Sequence, residues 1–149
     1  MDILLPEIDI KKQERVVYSP HVRNQKPSNP EIMRITDEDD YTRVDFAYQA
    51  PAKYVHGGWV QLHRSMFIRP TGSNVHLGMI KAAGIPYAPV KHFFNRPGEV
   101  LYFTVWFPAV PAGTTLIDII EADVHDGTYF NFYGVCLEYI KRSPVFIEN

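Results

Sequence analysis

Val100-Leu101-Tyr102-Phe103-Thr104-Val105-Trp106-Phe107 is the stretch from which the fold is read. In an extended chain successive side chains point to opposite faces. Leu101, Phe103, Val105 and Phe107 therefore share one side, and Val100, Tyr102, Thr104 and Trp106 the other. A run that is apolar on both sides reads as an interior strand. Arg96-Pro97-Gly98-Glu99 introduces it: proline fixes the first central φ of a type II turn and glycine accepts the positive φ of the second. Pro108 ends it, and Pro111 with Gly113 stops any continuation.

Toward the carboxyl end, Thr114 to Ala122 is dense in Leu116, Ile117, Ile119 and Ile120, and Phe130 to Ile140 follows after Asp126-Gly127. An Asp-Gly pair between two strand-like runs predicts a hairpin. Phe130 and Phe132 share a side, but after Gly134 the apolar positions pass to Val135, Leu137 and Tyr139, a change of phase that predicts a β-bulge at the glycine. Toward the amino end, Val44, Phe46 and Tyr48 alternate with Arg43, Asp45 and Ala47 as in a half-buried strand. Trp59 to Ile68 keeps Val60, Leu62, Met66 and Ile68 in phase, and Val75, Leu77 and Met79 begin another strand. Met79 to Ala83 is open to one helical turn, closed by Gly84 and Pro86. Glu14 to Tyr18 and Ile32 to Ile35 read as short strands, and His21 to Pro30 as loop.

Roughly seven to nine short strands at about 8–12-residue spacing, with no convincing helix, is the pattern of an all-β sandwich or small barrel. The two-sided strand at 100–107 favours an antiparallel β-sandwich, because such a strand belongs in a sheet centre. The 149 residues fit one domain, 1–149, with an amino-terminal arm over about residues 1–18. Ile3, Leu5, Ile8, Ile10 and Val16 give that arm more apolar side chains than a disordered tail carries, so it is expected to dock on a sheet, of its own chain or of a second copy. Asp2, Pro6, Glu7 and Asp9 interrupt any signal-peptide pattern, and no apolar run reaches the ~20 residues of a membrane span. A formal charge of −2 argues against a nucleic-acid binder with a broad cationic face.

Residues 41–139 resemble the small immunoglobulin-like β-sandwich domains of uncharacterised function found in many bacterial proteins. The resemblance rests on Thr42-Arg43-Val44-Asp45-Phe46, Gly58-Trp59-Val60, Ala83-Gly84-Ile85-Pro86-Tyr87-Ala88-Pro89, Gly98-Glu99-Val100-Leu101-Tyr102-Phe103 and Phe130-Asn131-Phe132-Tyr133-Gly134-Val135. It implies an immunoglobulin-like fold and a non-catalytic habit, and it supplies no site.

The chemistry-bearing residues give few constellations. Six histidines, at 21, 56, 63, 76, 92 and 125, lack the alternate spacing that would turn two of them toward one ion; the alternate neighbours of His63 are Gln61 and Ser65. Asp123 and His125 share a strand side, too few for a closed metal site, and solvent-facing histidines near turns are the plainer reading. Asp37-Glu38-Asp39-Asp40 could offer oxygens to Ca²⁺ but lacks the acid spacing and glycine of an EF-hand loop. Cys136, the one cysteine, sits between Val135 and Leu137 as an expected buried thiol. Ser19, Ser65 and Ser73 have no nucleophile elbow around them. Glu121 and Asp123 alternate and could form a glycosidase-like pair, though the polar edge of a hairpin is preferred.

Aromatic residues are the strongest functional hint. Trp59, Trp106, Tyr102 and Tyr133, if exposed on one sheet, make a flat platform for a sugar ring or a partner protein. Trp106 is expected in the core instead, and the sequence leaves Trp59 open. The expectation is a non-catalytic structural or protein-interaction module without cofactor or metal, binding a protein partner or itself. A carbohydrate-binding module is the alternative, and a metal-dependent enzyme a third reading.

Overall fold

The structure, a computed structural model, describes residues 15–124 and 127–138. Among them run β1 (Arg15–Tyr18), β2 (Val22–Lys26), β3 (Glu31–Asp37), β4 (Tyr41–Gln49), β5 (Trp59–Val60), β6 (Phe67–Pro70), β7 (Leu77–Gly78), β8 (Lys81–Ala83), β9 (His92–Phe93), β10 (Val100–Pro108), β11 (Leu116–Ile120) and β12 (Asn131–Cys136), with no helix among the described residues. Hence no described helix is long and apolar enough to cross a membrane. One five-stranded sheet has the order β1-β3-β4-β10-β8, a second the order β2-β12-β11-β6-β7, and β5-β9 forms a small ribbon. All pairings between these strands are antiparallel.

Among the described residues both large sheets end in edge strands paired on one side alone, so the fold is no barrel; they enclose one core in a sandwich-like arrangement. Val44, Phe46, Phe103, Val105 and Phe107 of the first sheet belong to the same buried cluster as Ile68, Ile117, Ile119, Phe132 and Val135 of the second. Phe46 stacks on Phe103 at 4.9 Å between ring centres and meets Phe132, across the layers, at 5.6 Å. The all-β, antiparallel reading holds.

β10 is the interior strand that its composition predicts, hydrogen-bonded to β4 on one side and β8 on the other. Its second apolar side, however, is the outer face of the sheet. Trp106 is therefore not in the core: it lies half-buried, with the Arg43 guanidinium 5.6 Å and the Lys81 ammonium 4.6 Å from its ring centre. Cation–π contact with cross-strand neighbours covers a ring that burial does not.

The bulge at Gly134 is present. Ile117 pairs with Val135 and Ile119 with Phe132, so Tyr133 and Gly134 together oppose Asp118. Gly134 has φ +66°, a left-handed conformation that favours glycine. β11 and β12 are antiparallel neighbours as the hairpin reading requires, although Asp126 of the expected turn and Tyr139 and Ile140 of the expected strand lie outside the described residues.

Three local readings are corrected. Residues 22–26 are not loop but β2, the edge of the second sheet, paired with β12; an edge strand rich in Arg, Asn, Gln and Lys shows no apolar alternation. Trp59 to Ile68 is not one strand: the chain turns at His63–Met66, with the Met66 N–H donating to the His63 carbonyl at 3.3 Å. Met79 to Ala83 makes no helical turn; the Ile80 N–H donates to the Trp106 carbonyl at 2.7 Å, and Lys81–Ala83 add an edge strand to the first sheet. In the amino-terminal arm, Arg15–Tyr18 pair with β3 of their own chain, and the arm's earlier apolar residues lie outside the described part.

Candidate functional site

One end of the molecule gathers aromatic and polar side chains from separate segments. Val60 and Leu62 are buried, so alternation sends Trp59, Gln61 and His63 to the opposite side of the same extended stretch. Hydrogen bonds fix the stretch: the Leu62 N–H donates to the Pro86 carbonyl at 3.0 Å, and the Ala88 N–H to the Leu62 carbonyl at 2.9 Å. Opposite them the connection from β11 to β12 brings up Glu121, Thr128, Tyr129 and Phe130, and β4 contributes Tyr48. Between these groups lies a cleft of about 400 Å³, within the ~300–1,000 Å³ span of small-molecule sites.

Glu121, 2% exposed, is its polar anchor. Its Oε2 accepts the His63 N–H at 2.9 Å and its Oε1 the Phe130 N–H at 2.8 Å. Burial pushes its carboxyl above the ordinary value, against the pull of those two amides and of the His63 charge. Ser65 Oγ donates to the Glu121 carbonyl at 2.7 Å, and Asn131 staples the loop by donating to the carbonyls of Ala122 at 2.8 Å and Val124 at 3.1 Å. The walls are aromatic. Tyr129 meets the His63 ring edge-on at 5.1 Å, and Tyr48 stacks on Phe94 at 5.7 Å. Among the described residues, Gln61 Oε1 is a buried side-chain oxygen without a hydrogen-bond partner.

Trp59 forms the lip between this cleft and an exposed apolar surface. It is the cross-strand partner of Phe93, and the two are 45% and 67% exposed. Tyr54, Val55 and Val90, on the segments leading into β5 and β9, are exposed as well. Two lysines ride on these rings, Lys91 Nζ at 4.6 Å from the Trp59 ring centre and Lys53 Nζ at 5.1 Å from that of Tyr54. Gly57, at φ +86°, holds the turn down: a Cβ there would stand 2.7 Å from the Arg96 carbonyl oxygen.

The four aromatic candidates do not share a sheet. Tyr102 and Trp106 lie on the outer face of the first sheet, Tyr133 on the second and Trp59 on the ribbon, so the single platform does not form. Among the described residues no three His, Cys, Asp or Glu side chains come together as a metal-binding group; His125 lies outside them. His76 stacks on Phe67 at 4.1 Å and His92 meets Phe94 at 4.9 Å. In the acidic run, Asp39 is paired with Arg15 at 3.0 Å. The alternation of Glu121 with Asp123 fails because β11 ends at Ile120, leaving Glu121 buried and Asp123 exposed. Cys136 is half-buried rather than buried. Gln61, Tyr129 and Tyr48 join the cleft without standing in any constellation of the sequence; the alternation of Trp59, Gln61 and His63 is the one signal that points to the first. Comparison with family models, curated proteins and solved structures finds no match for this chain.

Proposed function

We propose that the chain is a non-catalytic protein-interaction module on an immunoglobulin-like sandwich, and that it docks its partner on the β5–β9 ribbon. The observation that carries this reading is the pairing of Trp59 with Phe93 as exposed cross-strand neighbours on a short ribbon. Of the exposed large hydrophobic side chains, Trp59 and Phe93 lie on this ribbon and Tyr54, Val55 and Val90 on the segments that lead into its strands, and gathered apolar surface marks interaction sites. Rigid aromatics give contact area at small entropic cost. The lysines over Trp59 and Tyr54 set the partner's chemistry: an apolar segment flanked by Asp or Glu. The immunoglobulin-like assignment is supported by a chain that passes repeatedly between its two layers, from β2 to β3, β4 to β6, β7 to β8 and β10 to β11.

Selection of peptides from a random displayed library on the full chain tests this. The expected binders are enriched in acidic and aromatic residues, weaken with added salt, and lose at least about tenfold affinity for a Phe93→Ser, Val55→Ser variant. Binders that ignore both substitutions would overturn the reading.

A further inference from the structure

We infer that the cleft behind Trp59 is a binding site for a neutral sugar ring. This goes beyond the docking surface, and it stands on other residues: Gln61, Glu121, Tyr129 and Tyr48. A pyranose has flat, weakly polar C–H faces and a rim of hydroxyl groups, so its site needs an aromatic wall together with fixed acceptors and donors.

The cleft provides both. Tyr48 and Tyr129 supply rings. Gln61 Oε1 is a buried acceptor that no donor among the described residues satisfies, and an oxygen in that position favours the arrival of a donor. A ligand hydroxyl is such a donor. Each oxygen of the Glu121 carboxylate accepts one backbone N–H, at 2.8 and 2.9 Å, and an ionised carboxylate has lone pairs beyond those two. His63 adds a group that donates or accepts.

Charge narrows the class. An anionic ligand would face the Glu121 carboxylate. A cationic ligand would be repelled by the Lys91 ammonium at the cleft's lip, 4.6 Å from the Trp59 ring centre. A neutral polyhydroxyl ring meets neither obstacle. The frame is also preorganised: the hydrogen bonds of Glu121 to the His63 and Phe130 amides tie its two walls together before any ligand arrives.

The experiment is calorimetric titration of the full chain with neutral hexoses, pentoses and N-acetylhexosamines and their short oligomers, with glucuronate and tetramethylammonium as charged probes. Expected is saturable binding of at least one neutral sugar, weakened about tenfold or more in Gln61→Leu and in Tyr129→Ala. Phe93→Ser, which disables the docking surface alone, leaves it unchanged. Thermal melts of each variant separate loss of binding from loss of fold; if one variant is unfolded, the other decides. No saturable response to any neutral sugar, a response to tetramethylammonium or glucuronate alone, or sugar binding indifferent to both cleft substitutions overturns the inference.

Discussion

Asp118 accepts the backbone N–H of Gly134 at 2.9 Å through Oδ1, so the amide that the bulge removes from the β11–β12 ladder is satisfied by a side chain of the opposing strand. The same Oδ1 accepts the Thr71 hydroxyl at 2.8 Å, and Oδ2 accepts Arg69 Nε at 3.0 Å. A buried carboxylate with three donors is thus the hub of the second sheet's outer face. Asp118→Ala leaves those donors unpaired and is expected to cost on the order of 3 kcal/mol in urea denaturation. Gly134→Ala places a Cβ 2.7 Å from Arg23 Cδ at positive φ and is expected to cost about 1–2 kcal/mol. If both variants unfold at the wild-type midpoint, the bulge contributes nothing to stability.

Glu121 gives a pH dependence of defined sign. Burial raises its carboxyl on folding, so the native state holds the proton longer than the unfolded chain does. Its contribution is greatest below the unfolded value and falls as pH rises through the folded value. Glu121→Gln removes the titration, and its amide NH₂ cannot replace the second acceptor; a loss of about 1–3 kcal/mol is expected at neutral pH. The gap from wild type should widen toward acid. A gap that narrows between about pH 7 and pH 4 contradicts the assigned shift.

Asp45 works in the other direction. Burial raises its carboxyl, but hydrogen bonds from Thr104 and Arg34 and the charges of Arg43 and Arg34 outweigh this and hold it below the ordinary value. Arg34 Nε donates to Asp45 Oδ2 at 2.6 Å. Stability from this group is present above the unfolded value and disappears as pH falls through the folded one. In Asp45→Asn the acid limb of the stability profile should be shallower than in wild type, with a loss at neutral pH of about 1–3 kcal/mol. Parallel profiles for the two proteins would refute the assignment.

The layers should differ sharply in their tolerance of lost rings. Phe46 is fully buried and touches rings of both sheets, so Phe46→Ala is expected to cost about 3–5 kcal/mol. Tyr102, 68% exposed on the outer face, should change stability by no more than about 0.5 kcal/mol when replaced by serine. Chemical denaturation of both checks the inward and outward assignment directly.

What the sequence disclosed followed from periodicity. Phe103, Val105 and Phe107 announce the interior strand because side chains alternate, and the phase change at Gly134 announces the bulge because an extra residue reverses that alternation. β2 carries no such pattern, because only Val22 of its five residues is apolar and an edge strand needs no buried face. The place of Trp106 is not legible from alternation, which reports two sides of a strand without saying which is covered, and its cation–π partners from β4 and β8 follow only from the register. The cleft was legible in part. Trp59, Gln61 and His63 share a side by simple spacing, whereas Glu121, Tyr129 and Tyr48 reach them only through tertiary closure, which no local pattern records.

The order of strands in the first sheet also dictates how quickly the chain finds its shape. β3 and β4 close locally around Glu38–Tyr41, but the centre of the sheet forms only when Gln49 meets Val100 and Tyr41 meets Pro108, with β5 through β9 looped out between them. Joining such distant partners forfeits chain entropy before any ring is buried, so folding is expected on the millisecond-to-second scale rather than in microseconds. On the ribosome, half of the hydrophobic interior has to wait, uncovered, until β10 has been synthesised.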